Sequence, residues 1–283
     1  MKEVNLIEIG IGPHAKRVYL PAIKHLSEKY PIRVKLVIDL KDNENAVREY
    51  VSSLGFEPEY LFIDPFTGNL PRSLNNYLRE FELRHKINAV IISTEPLSHF
   101  AYAKWALKSE LNILMDKPVS SRNNVVSKIS EAKGILTDYL ELLRCYRNLQ
   151  QKKQTVFTVN TQRRYHPGFT KVNELIKEIA QKTKCPVTSI QSTHCDGQWR
   201  LPTEVVTQNY HPYNSGYGKA SHSGYHLFDI VSQFYKNSVV PGKEGDEVEV
   251  MSSFVQPRGL LLQMDHQDYS NYFGEEYENV CKY

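Results

Sequence analysis

Gly10-Ile11-Gly12-Pro13-His14-Ala15 is the first stretch whose residue types and spacing point to chemistry. It fits G-x-G-x-x-G/A and follows a short apolar run from Val4 to Ile9. It opens a segment, Ala15 to Lys29, with apolar residues at helical spacing (Val18, Ala22, Ile23, Leu26). In that setting the first glycine allows a tight turn and the second lets the backbone approach a pyrophosphate. The small third residue, Ala15, lets helix and strand pack closely, and the helix N-terminus attracts the anion. A G-x-G alone is an ordinary tight turn. A strand before, a helix after and an acid at the end of the second strand make it a dinucleotide site. That acid is Asp39, somewhat further along than the roughly 20 residues usual for the motif. A carboxylate there accepts hydrogen bonds from a ribose 2′-OH and repels a 2′-phosphate. It favours NAD over NADP, although Lys41 lies close by. His14 and Lys16 border the loop.

Lys117 ends a short apolar strand and precedes Pro118, which restricts it to extended geometry. An ammonium at that strand end can hydrogen-bond a substrate hydroxyl. A surface lysine beside a proline turn fits the same position. His222 and His226 stand at i, i+4, a spacing that a helix turns onto one face. Zinc is the other use of such a pair, with His194, Cys195 and His211 as further ligands. No second pair has tight ligand spacing, so no metal is expected. Arg164 and Tyr165 suit contact with substrate or with the nicotinamide end of a cofactor. Trp199 and Arg200 suit a sugar-binding wall. Salt bridges and surface packing explain these four equally well. Asp229 is read as capping or pairing within its helix.

The elements that must position these residues follow from hydrophobic periodicity. Strands are expected at Val4–Ile9, Val34–Asp39, Tyr60–Ile63, Ile87–Thr94, Asn112–Met115 and Thr155–Val159. Helices are expected at Ala15–Lys29, kinked or split by Pro21, and at Leu74–His85 and Pro96–Ser109. A further helix covers Val125–Gln150, in two pieces around Gly134. Alternating strands and helices imply right-handed crossovers and a doubly wound parallel sheet, a Rossmann domain over 1–160. The pattern changes over 161–283. Helices are expected at Phe169–Lys182 and Tyr225–Tyr235, and strands at Pro186–Thr193, Val248–Val255 and Leu260–Tyr269. Together they make an α+β domain on a mostly antiparallel sheet.

The chain has 283 residues, with 41% hydrophobic and 24% charged, the balance of a soluble globular protein. Its net charge of +3 comes from 35 basic and 32 acidic residues, without a dense basic stripe, so no nucleic-acid surface is expected. Cys145, Cys185, Cys195 and Cys281 are scattered, which argues against a disulfide framework. No signal peptide or membrane-length apolar run is present, and a cytoplasmic setting is the expectation. The 18 tyrosines suit a pocket for polyhydroxylated ligands, and equally a surface or a core.

Several segments, in order, resemble the Gfo/Idh/MocA oxidoreductases, the family of glucose-fructose oxidoreductase and inositol dehydrogenase. They are the glycine loop with Leu20-Pro21-Ala22-Ile23, Ser93-Thr94-Glu95-Pro96-Leu97-Ser98-His99 with Ala106-Leu107, Asp116-Lys117-Pro118, Arg164-Tyr165-His166-Pro167, and Gly216 to Asp229. The resemblance implies that Thr94, Pro96 and His99 line the cofactor. It implies that Lys117 is catalytic and touches both cofactor and substrate, and that His226 is the general base. His222 stands where the family usually has an aspartate and so lacks its fixed charge. The implied activity is NAD-dependent hydride transfer to or from a sugar, cyclitol or related polyol, in a homodimer or homotetramer. Two other roles remain open: an NAD-dependent glycosidase with transient oxidation, and a non-catalytic cofactor-binding regulator. The family's second domain has more strands than this chain has residues to supply, so a shortened sheet is expected.

Overall fold

Six short apolar runs in the first part of the chain become one parallel sheet. They are β1 (Val4–Ile9), β2 (Ile32–Leu40), β3 (Glu59–Ile63), β4 (Ala89–Ile92), β5 (Asn112–Met115) and β6 (Phe157–Val159). Their order is β3-β2-β1-β4-β5-β6, and every neighbouring pair is parallel. The sheet is covered on both faces, so its central strands read as nearly unbroken Val/Ile/Leu runs. The direction of winding reverses between β1 and β4, which opens a crevice at the carboxyl ends of those strands. This computed structural model describes residues 3–194, 220–245, 247–253 and 262–274.

One sheet face buries Ile7, Ile9, Ile38 and Met115 under α3 (Arg72–His85), α4 (Pro96–Lys108) and α5 (Ile129–Gln150). The other buries Leu6, Val34 and Val37 under α1 (Leu20–Ser27) and α2 (Glu44–Ser53). α2 was not anticipated between β2 and β3. Its sequence is polar on all but one face, and Val47 and Val51, both buried, supply the i, i+4 anchor.

The first helix begins at Pro13 and stays continuous through Pro21. It widens instead of breaking. Ala15–Tyr19 form a π turn, and the Leu20 amide donates to the Ala15 carbonyl, five residues back. Widening just before a proline relieves the clash of its ring with the preceding turn. Gly134 does not divide α5 either. A Cβ there would lie 2.3 Å from the Arg122 guanidinium. The glycine is a gap through which Arg122 reaches Asp138, at 2.7 Å and 3.0 Å.

The chain divides into two units, Met1–Asn160 and Thr161–Tyr283. In the second, α6 (Pro167–Thr183) packs with α7 (Tyr225–Ser238), and α8 (His266–Phe273) follows. Three expected strands differ from what is seen. Pro186–Thr193 forms no strand, and no strand among the described residues of this unit offers it a ladder. The described part of Val248–Val255 is likewise unpaired. Leu260–Tyr269 was expected as a strand, but helix α8 begins within it. Asp265 caps that helix by accepting from the Asp268 amide at 2.9 Å, while Asp268 accepts from the Asp265 amide at 3.1 Å. This reciprocal cap overrides the apolar alternation that suggested a strand.

Gly10 has φ +88°, and a Cβ there would sit 2.8 Å from Ser93 and Thr94 backbone atoms. Both the left-handed backbone and the close approach of the β1 and β4 ends demand glycine. Gly10→Ala is expected to lower stability by about 1–3 kcal/mol, read from the urea midpoint with unchanged slope.

Candidate active site

Loops from β1, β2, β4, β5 and β6 all end on the carboxyl edge of the sheet, and most of the residues singled out from the sequence of the first unit lie there. A Cβ on Gly12 would meet nothing within 4 Å, so the space above the glycine loop is open. The helix starting at Pro13 presents His14 and Ala15 amides that have no partner within the helix. Ala15 is fully buried against the strand face, where a larger residue would push the helix away. These features fit a pyrophosphate.

Asp39 also has a part within the protein. Its Oδ2 accepts from the Ile11 amide at 2.6 Å. Its Oδ1 accepts from the Leu40 amide at 2.7 Å and from Asn43 Nδ2 at 2.7 Å. Three of its roughly four acceptor positions are therefore used within the protein. Asp39 lashes the glycine loop to β2 and keeps one lone-pair direction on Oδ2 for a ligand. Lys41 is engaged elsewhere, in an exposed pair with Asp64 at 2.7 Å.

Asp116 and Lys117 follow β5. Asp116 is buried and accepts the Lys117 amide at 2.9 Å, and Lys117 is half-buried. Tyr19 lies within electrostatic reach of the Asp116 carboxylate. Burial first, and then Asp116, push the tyrosine pKa upward, so it stays a neutral donor. Asn160, at the end of β6, donates to Tyr19 Oη at 2.7 Å and lies 3.2 Å from His14 Nε2. Burial lowers the His14 pKa. A neutral His14 with a bare Nε2 accepts the second Asn160 proton. Sequence reasoning passed over Tyr19 and Asn160. The usable signal was position: Asn160 directly follows an apolar strand, and Tyr19 lies on the inward face of the phosphate-loop helix.

Glu8 was also passed over. It is fully buried in β1, and desolvation raises its pKa well above the carboxylate range. Ser93 Oγ lies 2.6 Å from the Gly10 carbonyl and 3.0 Å from Glu8 Oε1. Ser93 donates to both, and its bond to Glu8 opposes the upward shift, which burial dominates and which favours the neutral acid. The relay Glu8–Ser93–Gly10 ties the strand interior to the glycine loop.

Thr94 Oγ1 lies 2.7 Å from Ser98 Oγ, and Pro96 opens α4. His99 is fully buried; Nδ1 lies 2.7 Å from the Pro118 carbonyl and Nε2 3.0 Å from the Thr94 carbonyl. Burial lowers its pKa, while the two carbonyls and Asp116 oppose that shift. The Lys117–Pro118 peptide is cis.

In the second unit His226 is buried on α7, with its ring 4.6 Å from that of Tyr225. His222 lies in the π turn Ala220–Gly224 that leads into α7. Arg164 grips the Asp229 carboxylate, with Nε at 2.7 Å and 2.9 Å from its two oxygens. That fork ties the 3₁₀ turn Gln162–Tyr165 to α7, so Asp229 pairs outside its own helix. Tyr165 is 82% exposed. Trp199 and Arg200, like Cys195 and His211, lie outside the described residues. Among the described residues no group of three or more His, Cys, Asp or Glu is placed to hold a metal. No helix among them is long and apolar enough to cross a membrane.

The strand order and the glycine loop at its switch point define a Rossmann-like α/β fold. No protein-family model and no curated protein matches the sequence. Among solved structures, the chain is similar to the WlbA dehydrogenase of Thermus thermophilus in complex with NAD and alpha-ketoglutarate (TM-score 0.51, 16% identity, 82% of this chain and 62% of that one). It is similar to an oxidoreductase of Thermotoga maritima (TM-score 0.50, 18% identity, 82% and 60%). The third is myo-inositol dehydrogenase of Lactobacillus casei in complex with NAD(H) and myo-inositol (TM-score 0.50, 15% identity, 83% and 55%). At such identities the likeness establishes the fold. The chain spans 55–62% of the length of these structures.

The neutral state of Glu8 has a thermodynamic signature. Its folded pKa is raised, so its contribution to stability is complete below the ordinary carboxylate range. That contribution is lost as pH rises towards the folded value. Glu8→Gln keeps an oxygen that accepts from Ser93 and does not titrate. Thermal melts at pH 5 and pH 8 should show its Tm advantage growing with pH. A uniform loss at both would mean that Glu8 is ionised.

Proposed function

We propose that the chain is an NAD-dependent oxidoreductase that passes a hydride between a nicotinamide cofactor and a sugar, cyclitol or related polyol. The observation that carries this reading is the open glycine loop at the β1/β4 switch point, one strand away from the buried Asp116 and the half-buried Lys117. The Met1–Asn160 unit holds the cofactor and the Thr161–Tyr283 unit the substrate. The nicotinamide supplies the hydride acceptor or donor when it is bound. Gly10, Gly12, His14 and Ala15 receive the pyrophosphate, and Thr94 and Pro96 border the cofactor. Lys117 hydrogen-bonds the reacting hydroxyl and stabilises its oxygen as charge develops, and His226 takes its proton, with His222 beside it in sequence. Arg164 and Tyr165, with Trp199 and Arg200, border the substrate. Support comes from the WlbA dehydrogenase and inositol dehydrogenase structures, whose fold this chain shares and which hold NAD.

Calorimetric titration of the folded chain with NAD⁺, NADH and NADPH tests the reading. NADH is expected to bind. Gly12→Asp, which fills the open space with a negative charge, should weaken it by at least about 100-fold, or about 2.7 kcal/mol. No binding of any of the three by folded protein would sink the proposal. With NADH binding established, Lys117→Ala should lower turnover in a cyclitol and aldose screen by about 10²–10⁴-fold while leaving the NADH affinity nearly unchanged.

Asp39→Ala offers a separate check. A carboxylate serving only to select the ribose would, once removed, shift preference toward NADPH. Because Asp39 also holds the Ile11 amide, its loss should weaken NADH and NADPH together. The expected loss is about 10- to 100-fold, from a charge-assisted bond worth about 1.5–3 kcal/mol. A gain in NADPH affinity would refute the clamp.

A further inference from the structure

His99 is the one buried imidazole in the described first unit whose two nitrogens both face backbone carbonyls, those of Pro118 and Thr94. Carbonyl oxygens only accept, so both ring nitrogens must donate. Only the imidazolium donates from both. A neutral ring would set a bare lone pair against a carbonyl oxygen at 3.0 Å or closer. The charged groups facing the ring are Asp116, which favours the cation, and Lys117, which opposes it. Burial also opposes it and lowers the ring's pKa; what argues for the cation is the geometry, two carbonyl acceptors at 2.7 Å and 3.0 Å that only N–H groups can satisfy.

The two carbonyls belong to different loops. Thr94 follows β4, at the edge of the switch-point crevice, and Pro118 directly follows Lys117. We propose that His99 is a positioning residue for Lys117: a buried, doubly donating imidazolium that bolts the Lys117–Pro118 turn to the β4 loop. The inference rests on the reading of Lys117 as a reacting group. It assigns His99 to the support of the site in place of direct contact with cofactor, as full burial and two occupied nitrogens require. Downstream the same turn is anchored a second time. Ser120 and Arg122 both donate to Asp138 of α5, at 2.8 Å and at 2.7–3.0 Å. His99 is the anchor nearest to Lys117.

Two measurements test the bolt, and neither needs a cofactor. Nitrogen NMR of ring-labelled histidine in the wild-type chain at pH 7 should show one ring with both nitrogens protonated. Couplings across the hydrogen bonds to the Thr94 and Pro118 carbonyl carbons assign it, so no variant is required. A bare nitrogen on that ring overturns the proposal. The titration of Lys117 is then followed through its ¹³C-methylated amine, assigned with Lys117→Arg, in wild type, His99→Gln and His99→Asn. Removing a facing cation and loosening the turn should shift that titration upward in both variants. A Lys117 titration unmoved in a folded variant overturns the proposal, and if neither variant folds, the wild-type ring nitrogens decide it. A chain that binds no NADH can still pass or fail both tests, so the two readings fail separately.

Discussion

Three strand ends meet at Gly10, where there is no room for a side chain. Its backbone lies against Ser93 and Thr94, its carbonyl accepts from Ser93, and the next amide, of Ile11, is taken by Asp39. β1, β2 and β4 are thus lashed together at the point where a parallel sheet of this order opens. Everything that makes the edge useful follows from this packing. The loop is held in shape before any ligand arrives, and the helix behind it is brought close enough for its N-terminus to face the same space. Preorganised amides cost no reordering when an anion binds, which is why such loops bind phosphates well.

Three acids lie under or beside this edge, and each avoids the penalty of a buried bare charge by a different route. Burial favours the protonated form of Glu8, which accepts from the Ser93 hydroxyl that also serves the glycine loop. Asp39 is surrounded by N–H donors. Asp116 accepts from the Lys117 amide. The outcome depends on donor supply. Loop amides point at Asp39 and Asp116, whereas Glu8, inside β1, meets a serine hydroxyl. The same rule orients His14, since Asn160 has two protons to give and takes Tyr19 and His14 as acceptors.

Much of the first unit was legible because its signals are local. Apolar runs at Val4–Ile9 and Asn112–Met115 have few alternatives, and G-x-G-x-x-A between strand and helix specifies both neighbours. α2 escaped because its apolar face is only two residues wide over ten positions. In the second unit, alternation over Leu260–Tyr269 looked like a strand, yet one reciprocal cap at Asp265 and Asp268 set a helix instead. Alternation reports which side chains want burial, and a strand also needs a neighbour to pair with. At the site, residue types pointed to Gly10, Gly12, Asp39 and Lys117. What types alone do not reveal is whether a polar group faces outward to a ligand or inward to the backbone. Asp39 and His99 were read as facing a cofactor, yet Asp39 spends most of its acceptor capacity on amides and His99 spends both nitrogens on carbonyls. Such inward bonds depend on loops brought together from distant positions, and no short motif encodes them.

The division of labour along β5 shows why those inward bonds matter for chemistry. A lysine side chain has several rotatable bonds and is a poor positioner by itself. Here its backbone is fixed on both sides, by Asp116 at its own amide and by His99 at the following carbonyl. The gap at Gly134 completes the arrangement, because a side chain there would block Arg122 from reaching Asp138 and fixing the end of the turn. A side chain with many rotamers becomes a usable reacting group when its Cα has nowhere else to go, and then only the stem must be ordered when substrate arrives. The rigid sheet edge thus supplies accuracy while the flexible stem supplies reach, the combination that the role proposed for Lys117 calls for.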